Sequence, residues 1–333
     1  MKKLFLILLI LTISQIVVGQ NSRENYKKEK IKKVEIEDYI WKNNTETKCY
    51  GTSGACLKTI LLLDESGNTM DSTIYKADGI IKEKYTFKYS NENLTIEKCH
   101  YFGFNDKLVN GILHYRISIE YDSLKNISKY TVEDLATSTK VKTETSYKYF
   151  YDDKKQLIEK RTAILEYKTY GNAEPKQTRN TENVFKYEYD KHGTLSKLKS
   201  GNSVTKMELT YFKSGKLQES KYFDLQSGSS ADNVYNEQGQ LIKETSNSGI
   251  SIYYEYNKDG LISKLSQVQP TNDVFSFNIN FQYNELMKIS KKEYSQGKSN
   301  TVYKTEEWHY LPSGLLSEYI IDNSKIKYSY SNQ

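Results

Sequence analysis

The chain has 333 residues, with 48 Lys and Arg against 42 Asp and Glu, 30 Tyr, 17 Gly, 3 Pro and 3 Cys. An apolar fraction of 37%, much of it Tyr, is too low for a thick aliphatic core, while 13% aromatic residues is too rich for a disordered chain. A formal charge of +6 with acidic and basic residues intermixed excludes the one-sided potential of a nucleic-acid binder.

Met1-Lys2-Lys3 precedes the unbroken apolar run Leu4 to Leu11, and Gly19 supplies a small residue for a cut. This arrangement predicts a secretory signal peptide over 1–19, and so a chain exported to the periplasm, the outer surface or the medium. Losing Lys2 and Lys3 lowers the formal charge to about +4. No later run approaches the roughly 18 apolar residues of a spanning helix, so no transmembrane segment is expected after cleavage.

Residues 20–56 form a charged segment leading into the first strand. Its basic run, Lys27-Lys28-Glu29-Lys30-Ile31-Lys32-Lys33, reads as a solvated tether. Val34, Ile36 and Tyr39 to Trp41 start a strand. Cys49 and Cys56 enclose Tyr50 to Ala55, with Gly51 and Gly54 supplying flexibility, which makes them the candidate disulfide of an exported chain. Spacing does not assign the pairing, and Cys99 is left over. Cys99 with His100 makes a two-ligand cluster, short of the four ligands of a structural zinc site; no metal or cofactor is expected.

From about residue 57 to 333 one unit recurs: Tyr, then Gly four positions on, then an aliphatic residue two further. It appears as Tyr75–Gly79–Ile81, Tyr189–Gly193–Leu195, Tyr211–Gly215–Leu217, Tyr235–Gly239–Leu241, Tyr256–Gly260–Ile262 and Tyr310–Gly314–Leu316. Copies without the Gly start at Tyr121, Tyr151 and Tyr283, and a variant starts at Leu63. Asp or Asn after the Tyr bonds the backbone two residues on, and Gly three later takes a positive φ, the signature of a type I turn closed by a bulge. The flanks alternate at period two, as in Val184 to Asp190 and Phe275 to Tyr283, which predicts half-buried strands. The expected fold is all-β: tandem hairpins in an extended, curved antiparallel meander, open or partly closed, with Tyr328 to Asn332 as an edge strand.

The run Tyr189-Asp-Lys-His-Gly-Thr-Leu195 resembles the YD repeat of the RHS family, and Tyr211-Phe-Lys-Ser-Gly-Lys-Leu217 is similar to MORN-type hairpin repeats. The resemblance spans roughly residues 60–333, with Phe212 and Leu311 where Asp would stand and no Gly at 125 or 155. It implies a shell of stacked hairpins; the toxin function of long RHS proteins does not carry over.

No enzymatic constellation is evident. His100, His114, His192 and His309 are scattered, and there is no Gly-x-Ser-x-Gly elbow, phosphate-cradling loop or His-Glu-x-x-His helix. Interleaved Asp/Glu and Lys read as a solvated cross-strand ladder rather than a glycosidase pair. Lys and Glu within the strands also argue against a barrel in lipid. The expectation is a non-enzymatic binding or envelope scaffold module for an unknown protein or glycan, of unknown oligomeric state, against the alternative of a secreted hydrolase of polysaccharide or peptidoglycan.

Overall fold

Alternating Tyr, Ile and Val against Lys, Glu and Thr favours strands, and closely spaced turn residues favour pairing between chain neighbours. The computed structural model describes residues 23–42, 45–48, 58–76, 78–104, 110–270, 276–297, 301–322 and 324–332. The strands run β1 (Lys33–Lys42), β2 (Thr45–Lys48), β3 (Lys58–Leu63), β4 (Thr69–Tyr75), β5 (Ile81–Tyr89), β6 (Thr95–Phe102), β7 (Ile112–Tyr121), β8 (Ile127–Asp134), β9 (Thr139–Tyr151), β10 (Leu157–Tyr170), β11 (Lys176–Tyr189) and β12 (Leu195–Ser200). They continue as β13 (Ser203–Tyr211), β14 (Leu217–Asp224), β15 (Ser230–Tyr235), β16 (Leu241–Ser246), β17 (Ser251–Tyr256), β18 (Ile262–Val268), β19 (Phe277–Tyr283), β20 (Ile289–Gln296), β21 (Val302–Tyr310), β22 (Leu316–Ile321) and β23 (Ser324–Ser331).

Twenty-two of these strands form a closed antiparallel barrel, and β2 is a spur on the far end of β1. From β3 to β23 the ring is a meander. Closure comes from β1, which pairs with β23 on one side (Val34↔Tyr330, Ile36↔Tyr328) and with β3 on the other (Val34↔Leu61, Ile36↔Thr59). Tyr328 to Ser331 therefore belong to an interior strand rather than an edge, because one strand from the chain's beginning covers both edges that an open meander would expose.

The basic run preceding β1 is no tether. Residues 23–28 form a short helix, and Ile31, Val34, Leu63 and Leu315 make a buried cluster against which Tyr26, Ile36, Leu61, Tyr328 and Tyr330 pack. Burying Ile31 and one face of Tyr26 outweighs the solvation preference of the intervening lysines, whose long stems keep their ammoniums in water. Elsewhere the wall is a single layer. Away from this cluster the buried apolar residues among those described are Cys99, Ile252 and Leu265.

Because successive strands reverse direction, alternate connections share a rim. One rim carries the 23–28 helix and the turns 64–68, 90–94, 122–126, 152–156, 190–194, 212–216, 236–240, 257–261, 284–288 and 311–315, all with one hydrogen-bond pattern. In 190–194, Asp190 N–H donates to Thr194 O (2.9 Å) and Gly193 N–H to Asp190 O (3.1 Å). Asp190 Oδ1 accepts from the His192 and Thr194 amides, both at 2.9 Å. Gly193 has φ +81, and the pairing slips between Glu188 and Tyr189. The other rim carries irregular links, among which 76–80 and 246–250 repeat the pattern.

The copies that depart from the consensus divide its two devices between them. Where Gly is missing, Asn93, Lys125, Lys155 and Met287 still adopt φ of +56 to +66. Each follows a side chain that accepts the two turn amides: Ser90, Asp122, Asp152 and Asn284. Where that acceptor is replaced by Lys76, Phe212 or Leu311, Gly79, Gly215 and Gly314 occupy the left-handed position. A left-handed non-Gly residue costs about 1–2 kcal/mol, and two local hydrogen bonds to the turn offset it.

The outer anchors of the repeat meet across neighbouring hairpins. Tyr189 Oη donates to the Leu157 carbonyl (2.9 Å), Tyr256 to Leu241 (2.7 Å), Tyr283 to Ile262 (2.8 Å), Tyr310 to Ile289 (3.0 Å) and Tyr330 to Leu316. Tyr89 and Tyr121 make the same bond to Thr69 and Thr95. Each of these Tyr residues thus takes the backbone carbonyl at the preceding unit's outer anchor position, which is aliphatic or Thr, so the motif encodes an interlock as well as a turn. Tyr211 instead bonds the Asp190 carboxylate.

Candidate binding surface

Strand alternation sorts the wall into two faces. One is charged and laced with ion pairs: Lys58 with Glu35 (2.7 Å), Lys84 with Asp71 (2.7 Å), Lys88 with Glu97 (2.7 Å), Lys142 with Glu144 (2.7 Å), Lys197 with Glu188 (2.9 Å) and Lys291 with Glu293 (2.8 Å). These are solvent-screened pairs that add little to stability. Their shared role is to keep one side of the wall wet.

The other face is aromatic. The register places Tyr115, Ile117 and Ile119 beside Tyr130 and Val132, then Tyr147 and Tyr149, then Phe185 and Tyr187. On β13 and β17 it is the less exposed face. On β13, Thr205 is buried and Met207, Leu209 and Tyr211 half-buried, while Lys206, Glu208 and Thr210 are exposed. On β17, Ile252 is buried while Tyr253 and Glu255 are exposed.

Lysines are set among these rings. Lys98 Nζ lies 4.9 Å from the Tyr85 ring centroid and 5.7 Å from that of Phe87. Lys160 lies 4.8 Å from Tyr147 and 5.6 Å from Tyr149, and Lys292 lies 5.1 Å from Trp308 and 5.6 Å from Phe281. The cations sit on the electron-rich ring faces. Burial holds the Lys292 ammonium below the usual lysine range, partly offset by Glu306, its partner across the ladder. Glu306 is itself buried, 2.7 Å from Lys304, and accepts from Tyr319, whose phenol is pushed up to about 12 first by burial and then by that carboxylate.

A second polar cluster lies on the same face near the irregular rim. His100, buried on β6, stacks on Tyr85 with ring centroids 4.5 Å apart and touches Tyr115 at 4.9 Å. Its Nδ1 stands 3.2 Å from Nδ1 of His114 on β7, while its Nε2 stands 3.5 Å from Glu83 Oε2, which accepts the Tyr85 hydroxyl at 2.8 Å. Burial lowers the His100 pKa, and the Tyr85 hydrogen bond lowers that of Glu83.

The histidines that look scattered in the sequence are therefore partly gathered. A pairing shift between His100 and Tyr101, beyond the reach of sequence spacing, brings the 14-residue-separated pair together. His192 stays in its turn, stacked on Tyr211 at 4.2 Å, and His309 lies on the charged face. The anchors Tyr75, Tyr189, Tyr211, Tyr235, Tyr256 and Tyr310 end their strands, and Gly79, Gly193, Gly215, Gly239, Gly260 and Gly314 occupy left-handed turn positions. Cys99 is a buried free thiol; Cys49, Cys56 and the signal segment 1–19 lie outside the described residues. Among the described residues no three His, Cys, Asp or Glu side chains converge as a metal-ligand set, and no helix is long and apolar enough to cross a membrane.

These features define the class of protein: a single-layer antiparallel β-barrel assembled from hairpin repeats, aromatic on one face and charged on the other. No family model matches the chain, and no curated protein matches it in sequence. Among solved structures it is similar to a chain in the crystal structure of TcdB2-TccC3-Cdc42, at 10% identity and TM-score 0.38 over 79% of this chain and 17% of that one. It is also similar to a chain of the Photorhabdus luminescens Tc holotoxin pore, at 9% identity and TM-score 0.34 over 81% and 19%. A porin-like protein from Bacteroides uniformis is similar at 9% identity and TM-score 0.26 over 90% and 96%. The chain spans less than a fifth of the length of the two toxin chains it matches.

Proposed function

We propose that this chain is a non-enzymatic exported module that binds an acidic glycan on its aromatic face, and that its hairpins are of the YD-repeat kind. The observation that carries the binding reading is the setting of Lys98 and Lys160. Each lies over two aromatic rings, and among the described residues neither has a carboxylate at ion-pair distance. A half-buried ring offers a flat apolar platform, and an unpaired ammonium beside it supplies a partner for a sugar carboxylate. The signal-like segment over 1–19 supports export, and the turn built on Asp190 and Gly193 supports the repeat assignment.

The test is retention of the mature chain on immobilised uronic-acid polysaccharides and on neutral ones. Binding to the acidic set that weakens at least tenfold in Lys98→Met/Lys160→Met is the expected result. No retention, or retention indifferent to both substitutions, refutes the proposal. Release of new reducing ends during incubation would instead establish the hydrolase alternative.

A further inference from the structure

We propose that His100 and His114 form a two-histidine site for a borderline divalent transition ion such as Zn2+, with both Nδ1 atoms as ligands and the remaining positions open to water. Their Nδ1 atoms are 3.2 Å apart. Two imidazole nitrogens on one tetrahedral zinc, each about 2.0–2.1 Å from the metal, stand about 3.3 Å apart. The pair is thus spaced as two ligands are, before any ion is placed between them.

The surroundings set the protonation that ligation needs. Glu83, held by the Tyr85 hydroxyl, faces the opposite nitrogen of His100 at 3.5 Å. That Nε2 is buried, and among the described residues it has no hydrogen-bond partner. A carboxylate there draws the imidazole proton to Nε2 and leaves the Nδ1 lone pair directed at His114, the carboxylate–histidine–metal arrangement of many ligating histidines. The rings of Tyr85 and Tyr115 pack against His100 and fix the orientation of its ring. On binding, the proton between the two Nδ1 atoms moves to Nε2 of His114, so both imidazoles ligate as neutral rings and no net proton is released. Lys98 opposes the ion's charge, and Glu83 offsets it. His114 is half-buried, so water can reach the pair from its side.

The site is tested by titrating Zn2+ into untagged full-length protein against a chromophoric chelator. One ion per chain should bind, weakened at least tenfold in His100→Gln and in His114→Gln and about tenfold in Glu83→Gln, the usual effect of losing an outer carboxylate. His309→Gln should leave binding unchanged. Far-UV circular dichroism verifies each fold, and the half-buried His114 supplies the informative variant if His100→Gln does not fold. Co2+ substitution should give a visible absorption band that the His114 variant lacks. Zn2+ affinity equal in the wild type and in His114→Gln, or loss of binding in His309→Gln, overturns the proposal.

Discussion

Adding one methyl group at Gly67 and at Gly239 separates the energetics of the turn from the docking of the N-terminal segment. Both residues are left-handed, φ +77 and +88, so Ala pays the same conformational cost of about 1–2 kcal/mol. The narrower unfolded ensemble of Ala returns about 0.4–1 kcal/mol. At Gly239 a Cβ meets nothing within 4 Å, and the net loss is about 1 kcal/mol. At Gly67 it falls 2.5 Å from the Arg23 carbonyl oxygen and 3.2 Å from the Lys27 nitrogen, both backbone atoms that side-chain rotation cannot move. The 23–28 helix must then shift, weakening the burial of Ile31, for which the full loss is about 1.5–3 kcal/mol. Urea denaturation followed by circular dichroism should give a larger midpoint loss for Gly67→Ala than for Gly239→Ala, and brief trypsin treatment should cut at Lys27 to Lys32 faster in the former. Equal midpoint losses with equal cleavage rates would show that the helix is not seated on this turn.

Removing the hydroxyl in Tyr256→Phe forfeits the 2.7 Å bond to the Leu241 carbonyl and should cost about 1 kcal/mol in the same urea assay. Lys155→Gly relieves a left-handed Lys (φ +62) and should stabilise by up to about 1 kcal/mol, whereas Lys148→Gly within β9 should destabilise by roughly 0.5–1 kcal/mol. A chain starting at Lys58 lacks β1 and exposes the edges of β3 and β23; size-exclusion chromatography should find it aggregated while the longer chain is not. Burial pushes Tyr310 and Tyr319 up to about 12 from 10.0. The unfolded chain ionises first, so their stabilising contribution is complete below pH 10 and lost as pH rises to about 12. A phenolate absorbance titration should find late-ionising tyrosines whose titration moves to about pH 10 in urea.

How far the sequence reached depended on the separation of the groups involved. The turn at 190–194 is written in consecutive residues, since Asp190 bonds amides two and four positions on and Gly193 provides the left-handed step. The same locality explains how Lys125 and Lys155 replace Gly behind an intact Asp. The Tyr-to-carbonyl bonds were less legible, because they join one unit to the previous one at separations from 14 to 32 residues. The His100–His114 pair depends on a register slip that no periodicity announces.

Local chemistry therefore determined from the sequence alone that this chain is a series of antiparallel hairpins with one aromatic and one charged side. It also placed the turn residues, because turn and strand preferences act over a few bonds. Only the tertiary structure decided that the meander closes. Val34 finds Tyr330 across almost the whole chain while Leu61 flanks its other side, and the burial of Val34 with Ile31, Leu63 and Leu315 rewards that contact. Such long-range pairing has to recover the entropy of closing a very long loop, and the recovery comes from removing two sheet edges and burying one small cluster at the same seam.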